Sequence, residues 1–319
     1  MQSVTKTSIM NTANMTGPRE SLAPAPAVVH KNYIPCNLCG STDYEVLYSD
    51  ELEMKAATVD YNFCPDTRKT YQIVKCPKCG IIYTNPMPSI ETSYHDTKDE
   101  TYLRSKKQRV RTAEHLMKKI LCYKSGGRLL DVGCSTGIQL DAASKHFDAE
   151  GIELSHWAYR EASSRHKVHN VTLSELDLCE QFDVVTLIGV IEHFEDPVRE
   201  LQLIHRALKP GGLFVIYTGD VDAWLPRLLG KKWWWYQGMH VFYFSLKTCK
   251  AMLDKCGFKV IRNGVHCSYF EVYSLGNSLK RYKLGLLLNP LFNLPGIKNL
   301  MIPVKLSGEM LLFATKVGE

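Results

Sequence analysis

No apolar run in the chain approaches the roughly 20 residues needed to cross a bilayer. The longest uncharged apolar stretch, Leu284 to Ile297, is broken by Asn289, Pro290, Asn293 and Pro295, so no transmembrane helix is expected. Blocks of five or six like charges are also missing. With a formal net charge of only +6 over 319 residues, the composition argues against a protein built mainly to grip nucleic acid. No charged-then-apolar leader opens the sequence, and the eleven cysteines are odd in number. Both features argue against a disulfide framework and place the chain in a reducing cytosol. Two nucleotide fingerprints are absent as well. The pattern G-x-G-x-x-G fails at Ser135 and Ile138, and the phosphate loop G-x-x-x-x-G-K-[ST] finds neither its spacing nor its lysine.

The chain does contain enough apolar residues, 45%, for one large core with a small appended module. Residues 1–32 are rich in Ser, Thr, Asn, Ala and Pro without hydrophobic periodicity and read as a mobile tail. A transit peptide is the alternative, although only Lys6, Arg19 and Lys31 are basic. Residues 33–88 hold short β-like runs (44–48, 71–75 and 81–84) around two cysteine pairs. Residues 89–124 form a connector whose stretch 103–123 spaces apolar residues along one helical face.

From 125 to 319, apolar runs alternate with helical patterns. Strands are expected near 128–132, 148–153, 171–173, 182–188, 212–218 and 258–263, and helices near 137–146, 155–167, 197–208 and 246–256. That alternation predicts an α/β fold, a doubly wound and mostly parallel sheet covered on both faces. No internal repeat is visible.

In such a sheet the first strand-to-helix turn is the usual ligand site. "LLDVGCSTG", residues 129–137, occupies that place, and Gly133 and Gly137 let the backbone bend and a ligand come close. Glu153, near the end of the second strand in "GIELS", stands where a carboxylate accepts hydrogen bonds from both ribose hydroxyls. Each feature alone is compatible with a structural turn or a solvated strand end; together they favour a ribose-bearing cofactor.

With "FDVVTLIGVIEHFEDP" and "LKPGGLFVIYT" following in order, the region 128–264 resembles the class I S-adenosylmethionine-dependent methyltransferases. The resemblance implies a seven-stranded Rossmann-like sheet ending in an antiparallel strand, for which "EMLLFATK" at 309–316 is suited. It implies S-adenosylmethionine as cofactor, with Asp131, Gly133 and Gly137 at its methionine end, Glu153 at its ribose and Ile152 beside its adenine. Asp177 would meet the adenine amino group.

"CNLCG" at 36–40 and "CPKCG" at 76–80 present Cys36, Cys39, Cys76 and Cys79 from two tight turns 36 residues apart. Four thiolates satisfy tetrahedral zinc and leave no open position, so a structural zinc-ribbon-like module is expected. An iron–sulfur site accepts the same set. Zinc binding of roughly 10–16 kcal/mol in small modules offsets a thin core. The other seven cysteines lack paired spacing and read mostly as small buried hydrophobes.

An acceptor site must lie over the carboxyl edge of the sheet. Glu192 and His193 in "IEHF", and His240 and Tyr243 in "GMHVFYFS", fall there. Each is a candidate base or acceptor contact, with helix capping or packing as the alternative. The adjacent tryptophans of "GKKWWWYQGMHVFYFS" cannot all face one way, leaving some to stack on a sugar, a base or lipid, or to close the sheet edge as a lid. With the knuckles, this stretch resembles a bacterial subgroup of these enzymes linked to cell-surface glycan and nucleotide-sugar modification. That resemblance implies methyl transfer to a sugar, nucleotide-sugar or lipid-linked sugar acceptor. The tail from about 275 mixes Lys280, Arg281, Lys283, Lys298 and Lys305 with leucines and could lie on the inner face of a membrane as a peripheral contact, or simply cover the sheet as a lid. Two alternatives remain: an RNA acceptor gripped by the zinc module, and a non-catalytic zinc scaffold.

Overall fold

The computed structural model describes residues 31–52, 69–90, 94–99, 105–281 and 296–317. The tail to residue 30 and Cys64 lie outside the described residues. In the N-terminal module, β1 (Lys31–Asn32), β2 (Glu45–Tyr48), β3 (Ile73–Lys75), β4 (Ile82–Thr84) and β5 (Met87–Pro88) form short antiparallel pairs. The pairing of β1 with β5 ties down two residues assigned to the tail. The connector helix α1 (Lys106–Ile120) buries Ala113, Leu116, Met117 and Ile120 at helical spacing, and Lys106, Lys107 and Lys118 stay exposed.

The main domain then alternates β6 (Arg128–Val132), α2 (Ile138–Ala143), β7 (Asp148–Ile152), α3 (His156–Ser163), β8 (Lys167–His169), β9 (Phe182–Ile188), α4 (Pro197–Ala207) and β10 (Leu208–Gly219). It continues through α5 (Trp224–Leu229), β11 (Phe242–Tyr243), α6 (Leu246–Lys255), β12 (Phe258–Val265), β13 (Ser268–Glu271), α7 (Val272–Arg281), β14 (Met301–Val304) and β15 (Glu309–Lys316). The strand order is β12-β15-β10-β9-β6-β7-β8. All run parallel except β15, which lies antiparallel to both β10 and β12. This is the expected Rossmann-like sheet. Its central strands are apolar on both faces because helices cover both.

Two expectations are corrected. The third strand of the series is Lys167–His169, not 171–173, and the preceding helix ends at Ser163 instead of running to 167. The stretch "VTLSE" has β-branched residues, but Thr172 and Glu175 form a reciprocal capping box that turns Leu173–Glu175 into a 3-10 turn. Asn170 reinforces that turn by donating to the carbonyls of Glu153 and Leu154 at 2.7 and 3.0 Å.

The module is also less of an appendage than its thin core implied. Phe242 and Tyr243, from the main domain, pair with Tyr83 and Ile82 and extend the module to a four-stranded sheet. One apolar core runs from Cys36, Val74 and Tyr83 through Phe242 and Phe244 to Leu130, Ile204 and Phe214. Of the unpaired cysteines among the described residues, Cys134, Cys249, Cys256 and Cys267 are buried, while Cys122 and Cys179 are exposed. No helix among the described residues is long and apolar enough to cross a membrane. A shared core predicts cooperative behaviour. Stripping metal from the cysteine knuckles should lower one common thermal transition, read by near-UV circular dichroism; a main domain that melts unchanged would contradict the shared core.

Candidate active site and metal centre

The four knuckle cysteines converge. Cys36 and Cys79 sulfurs lie 3.5 Å apart, and those of Cys39 and Cys76 lie 3.6 Å apart. Zinc–sulfur bonds near 2.3 Å in a tetrahedron set sulfurs about 3.75 Å apart, so the donor set fits zinc. The two turns are built alike: Gly40 N–H donates to the Cys36 carbonyl at 2.7 Å, and Gly80 N–H to that of Cys76 at 2.9 Å. Burial acts to raise the Cys76 thiol, but backbone hydrogen bonds from Cys79 and Lys78 bring it down to about 7. Thiolate character of that kind is what a metal needs.

The carboxyl edge of the sheet opens into a cavity of about 1120 Å³. Asp131, Gly133, Ile152 and Glu153 all line it. Asp131 is buried at the end of β6, and Thr186 donates to its carboxylate at 2.6 Å. Burial, with Glu153 nearby, lifts its pKa to about 7. Gly133 has φ +74°, and a Cβ there would lie 2.6 Å from Val190, so the turn admits only glycine without displacing a neighbour. Glu153 is pinned by two backbone donors: Ser135 N–H at 2.7 Å on one oxygen and Ser155 N–H at 2.8 Å on the other. Burial nevertheless keeps its pKa raised. Gln139 Nε2, also on the cavity wall, has no protein partner.

Two of the expected cofactor residues lie elsewhere. Gly137 starts α2 and backs onto α3, where a Cβ would meet Ala162 and His166 at 3.2 Å. It shapes the turn from behind and does not line the cavity. Asp177 is not brought to the cavity; its side chain is 96% exposed and pairs with Arg206 at 3.2 Å. Thr172, Leu173 and Ser174 line the cavity in its place. Their β-branched neighbours give them a strand-like sequence, which masks the capping box.

Glu192, His193 and His240 come together, with their ligating atoms within 4.8 Å of one another. Glu192 does not cap a helix; that role belongs to Asp196, which accepts from Arg199 N–H. Glu192 is 1% exposed, accepts from Thr218 Oγ1 at 2.8 Å, and is lifted by burial to about 7. His193 Nδ1 lies 2.9 Å from the Met239 carbonyl and 2.7 Å from the Tyr94 hydroxyl. A carbonyl can only accept, so the Met239 contact puts a proton on Nδ1, and the Gly189 carbonyl also faces the ring. Burial lowers the ring's pKa to about 4. His240 packs edge-on to it, with ring centres 4.6 Å apart. Its Nδ1 donates to the Trp235 carbonyl at 2.7 Å, and its Nε2 meets the Gln237 amide at 2.8 Å.

Tyr243 lies outside the cavity. Its hydroxyl donates to the His240 carbonyl at 2.7 Å, so it steadies the histidine loop from the module side. Tyr94, which anchors His193, belongs to no sequence motif. The cavity wall also includes Arg109, Tyr217, His266 and Glu309, which sequence spacing could not join.

The buried titratable groups predict how stability varies with pH. Folded, Asp131, Glu192 and Glu309 each titrate at about 7. They hold protons that the unfolded chain has already released, so stability falls as pH rises toward 7. His193 and His266, lowered by burial to about 4 and about 3, act in the opposite sense, costing stability as pH falls below about 6.5. Glu153 and Asp220 are raised in the same way and His115 is lowered, so the acids outnumber the histidines and the melting temperature of ligand-free protein should fall from about pH 5.5 to about pH 7.5. Glu192→Gln should reduce that fall, and a midpoint flat or rising over this interval would contradict the assignment.

Comparison with known proteins identifies the domain family. A family model described as a methyltransferase domain matches residues 103–263. The ubiquinone biosynthesis O-methyltransferase of Pseudomonas syringae pv. tomato is 33% identical over 122 residues, 34% of this chain and 52% of that protein. The tRNA U34 carboxymethyltransferase of Desulfotalea psychrophila is 30% identical over 124 residues, 35% of this chain and 39% of that one. The chain spans about half the length of the ubiquinone enzyme it matches. Among solved structures, a SAM-dependent methyltransferase from Archaeoglobus fulgidus superposes with a TM-score of 0.49 at 18% identity, over 68% of this chain and 100% of that one. With the family model matching half of its length, the chain belongs to the methyltransferase domain family.

Proposed function

We propose that the chain is an S-adenosylmethionine-dependent methyltransferase acting on a sugar, nucleotide-sugar or glycolipid intermediate. The observation that carries this reading is Glu153, a carboxylate fixed through both oxygens at the rim of the cavity beside the Gly133 turn. Its remaining lone pairs suit two ribose hydroxyls, each charge-assisted bond contributing about 1.5–3 kcal/mol. Asp131, Gly133 and Gln139 surround the methionine end, and Ile152 with Thr172 and Leu173 flank the adenine in place of Asp177. The bound cofactor supplies an electrophilic methyl group. Its transfer is an in-line displacement that gains from positioning and from exclusion of water.

His193 is the base in this reading. Met239 and Tyr94 orient its ring, its Nε2 takes the acceptor proton, and Glu192 beside it offsets the charge that develops. His240, with both nitrogens engaged, holds His193 in place. Trp234, Trp235 and Tyr269 line the same cavity and offer flat faces for a pyranose ring.

Support for a lipid-linked acceptor comes from α5. Leu225 and Leu229 line the cavity, while Trp224 and Leu228 point outward, 67% and 73% exposed. An apolar face continuous from cavity to surface suits a peripheral contact at the inner face of a membrane, with the protein otherwise cytoplasmic. In the basic tail, Lys298 and Lys305 are exposed, whereas Lys283 lies outside the described residues.

The decisive experiment is transfer of labelled methyl from S-adenosylmethionine into a fractionated cell extract, with and without the zinc-loaded protein. Label in the nucleotide-sugar or lipid fraction supports the proposal. Label in RNA transfers the function to a nucleic-acid acceptor, and no label in an extract holding all three pools points to a scaffold. Glu153→Ala should weaken cofactor binding by about 1–3 kcal/mol with zinc content unchanged; unchanged affinity sinks the ribose assignment. His193→Gln should slow methyl transfer roughly 10²–10⁴-fold at unaltered cofactor affinity, and a variant as fast as the parent would remove His193 as the base.

A further inference from the structure

A second polar cluster in the cavity is not used by the methyl transfer as described. Glu309, the first residue of β15, is 7% exposed and lines the cavity. Burial raises its pKa to about 7, against the side chains of Tyr217 and Trp234, which donate to the carboxylate. Both of those donors are neutral. Arg109, on the same cavity wall, acts on Tyr217, and its Nε donates to Ser105 Oγ at 2.9 Å.

The surroundings of this carboxylate are aromatic and incompletely satisfied. Tyr217 stands between His266 and Trp235, with ring centres 4.3 and 5.8 Å away. His266 and Trp235 are 3% and 7% exposed, and His266 Nδ1 and Trp235 Nε1 have no hydrogen-bond partner. The wall is built to close tolerance: a Cβ on Gly219 would collide with the Trp233 and Trp235 rings at 2.7–2.8 Å. Across Tyr217 stands Glu192, and both carboxyls act on the tyrosine, whose pKa burial raises first.

We propose that Glu309, Tyr217, Trp234 and Trp235 form the acceptor subsite for a positively charged amino group. An ammonium supplies the counter-charge that the buried carboxylate lacks, and it is attracted to the negative faces of the surrounding rings. Tyr217 and Trp234, both partly exposed, present their rings beside this carboxylate, so joined to the sugar acceptor proposed above the chemistry fits an amino sugar. The ammonium is a recognition group placed beside the Glu192–His193 pair. This inference rests on the methyl-transfer reading and narrows its acceptor class.

The test compares benzylamine with benzyl alcohol, alike in shape and different in charge, on zinc-loaded full-length protein saturated with S-adenosylhomocysteine at pH 7.5. Calorimetry and tryptophan fluorescence read binding. Benzylamine should bind at least about 10-fold more tightly than the alcohol, and Glu309→Gln should abolish that preference while leaving S-adenosylhomocysteine binding unchanged. Equal binding of the two probes, no binding of benzylamine, or a preference that survives Glu309→Gln overturns the proposal. The wild-type comparison stands even if the variant does not fold, and Tyr217→Phe, which removes one hydroxyl, provides a second variant expected to weaken benzylamine alone. Failure of S-adenosylhomocysteine to bind would strike the methyltransferase reading instead, so the two failures are distinguishable.

Discussion

The pairing of Phe242 and Tyr243 with Tyr83 and Ile82 is the contact on which the rest of the cavity depends. A parallel sheet exposes the carboxyl ends of its strands, and those ends need a cover if a reaction there is to exclude water. Here the cover is a tryptophan-rich loop carrying His240, residues 233–241, whose far end is held by the cysteine module's own sheet. Because Val241 N–H donates to the Glu192 carbonyl at 2.8 Å, the same pairing fixes the backbone of the Glu192–His193 turn. The cysteine knuckles therefore act on the site through a strand, at a distance, and without an open metal position.

Within that cover the dominant force is desolvation of acids. Asp131, Glu192 and Glu309 are removed from water and Glu153 is half-buried, and each has its pKa raised by burial. Neutral donors such as Thr186, Thr218 and Tyr217 satisfy hydrogen bonds but do not cancel charge. A cavity of this kind is poised for cationic ligands. A sulfonium cofactor meets that condition at one end, and an amine-bearing acceptor would meet it at the other.

Much of the sheet was legible in the sequence because parallel strands buried on both faces leave unbroken apolar runs, such as Phe182–Ile188 and Leu213–Tyr217. The knuckles were legible because two thiolates from one turn need fixed spacing. The edge strand Lys167–His169 was not: three half-exposed residues have little periodicity, and "VTL" beside them carried a stronger β signal until Thr172 and Glu175 capped it. The far wall of the cavity was illegible for a different reason. Tyr94, Tyr217, His266 and Glu309 come from four distant segments, and only the three-dimensional fold brings them together. Asp177 shows the converse, an acid in a plausible sequence position that the chain turns outward to Arg206.

Hydrogen–deuterium exchange with and without S-adenosylhomocysteine tests the account most directly, because it reads the whole cavity at once. Ligand should protect backbone amides at 131–139, 152–155 and 189–193, where the Gly133 turn, Glu153 and the Glu192–His193 turn meet, and should leave the knuckles at 36–40 and 76–80 unchanged. Protection absent from those three segments, or confined to the cysteine module, would contradict a cofactor site at the carboxyl edge of this sheet.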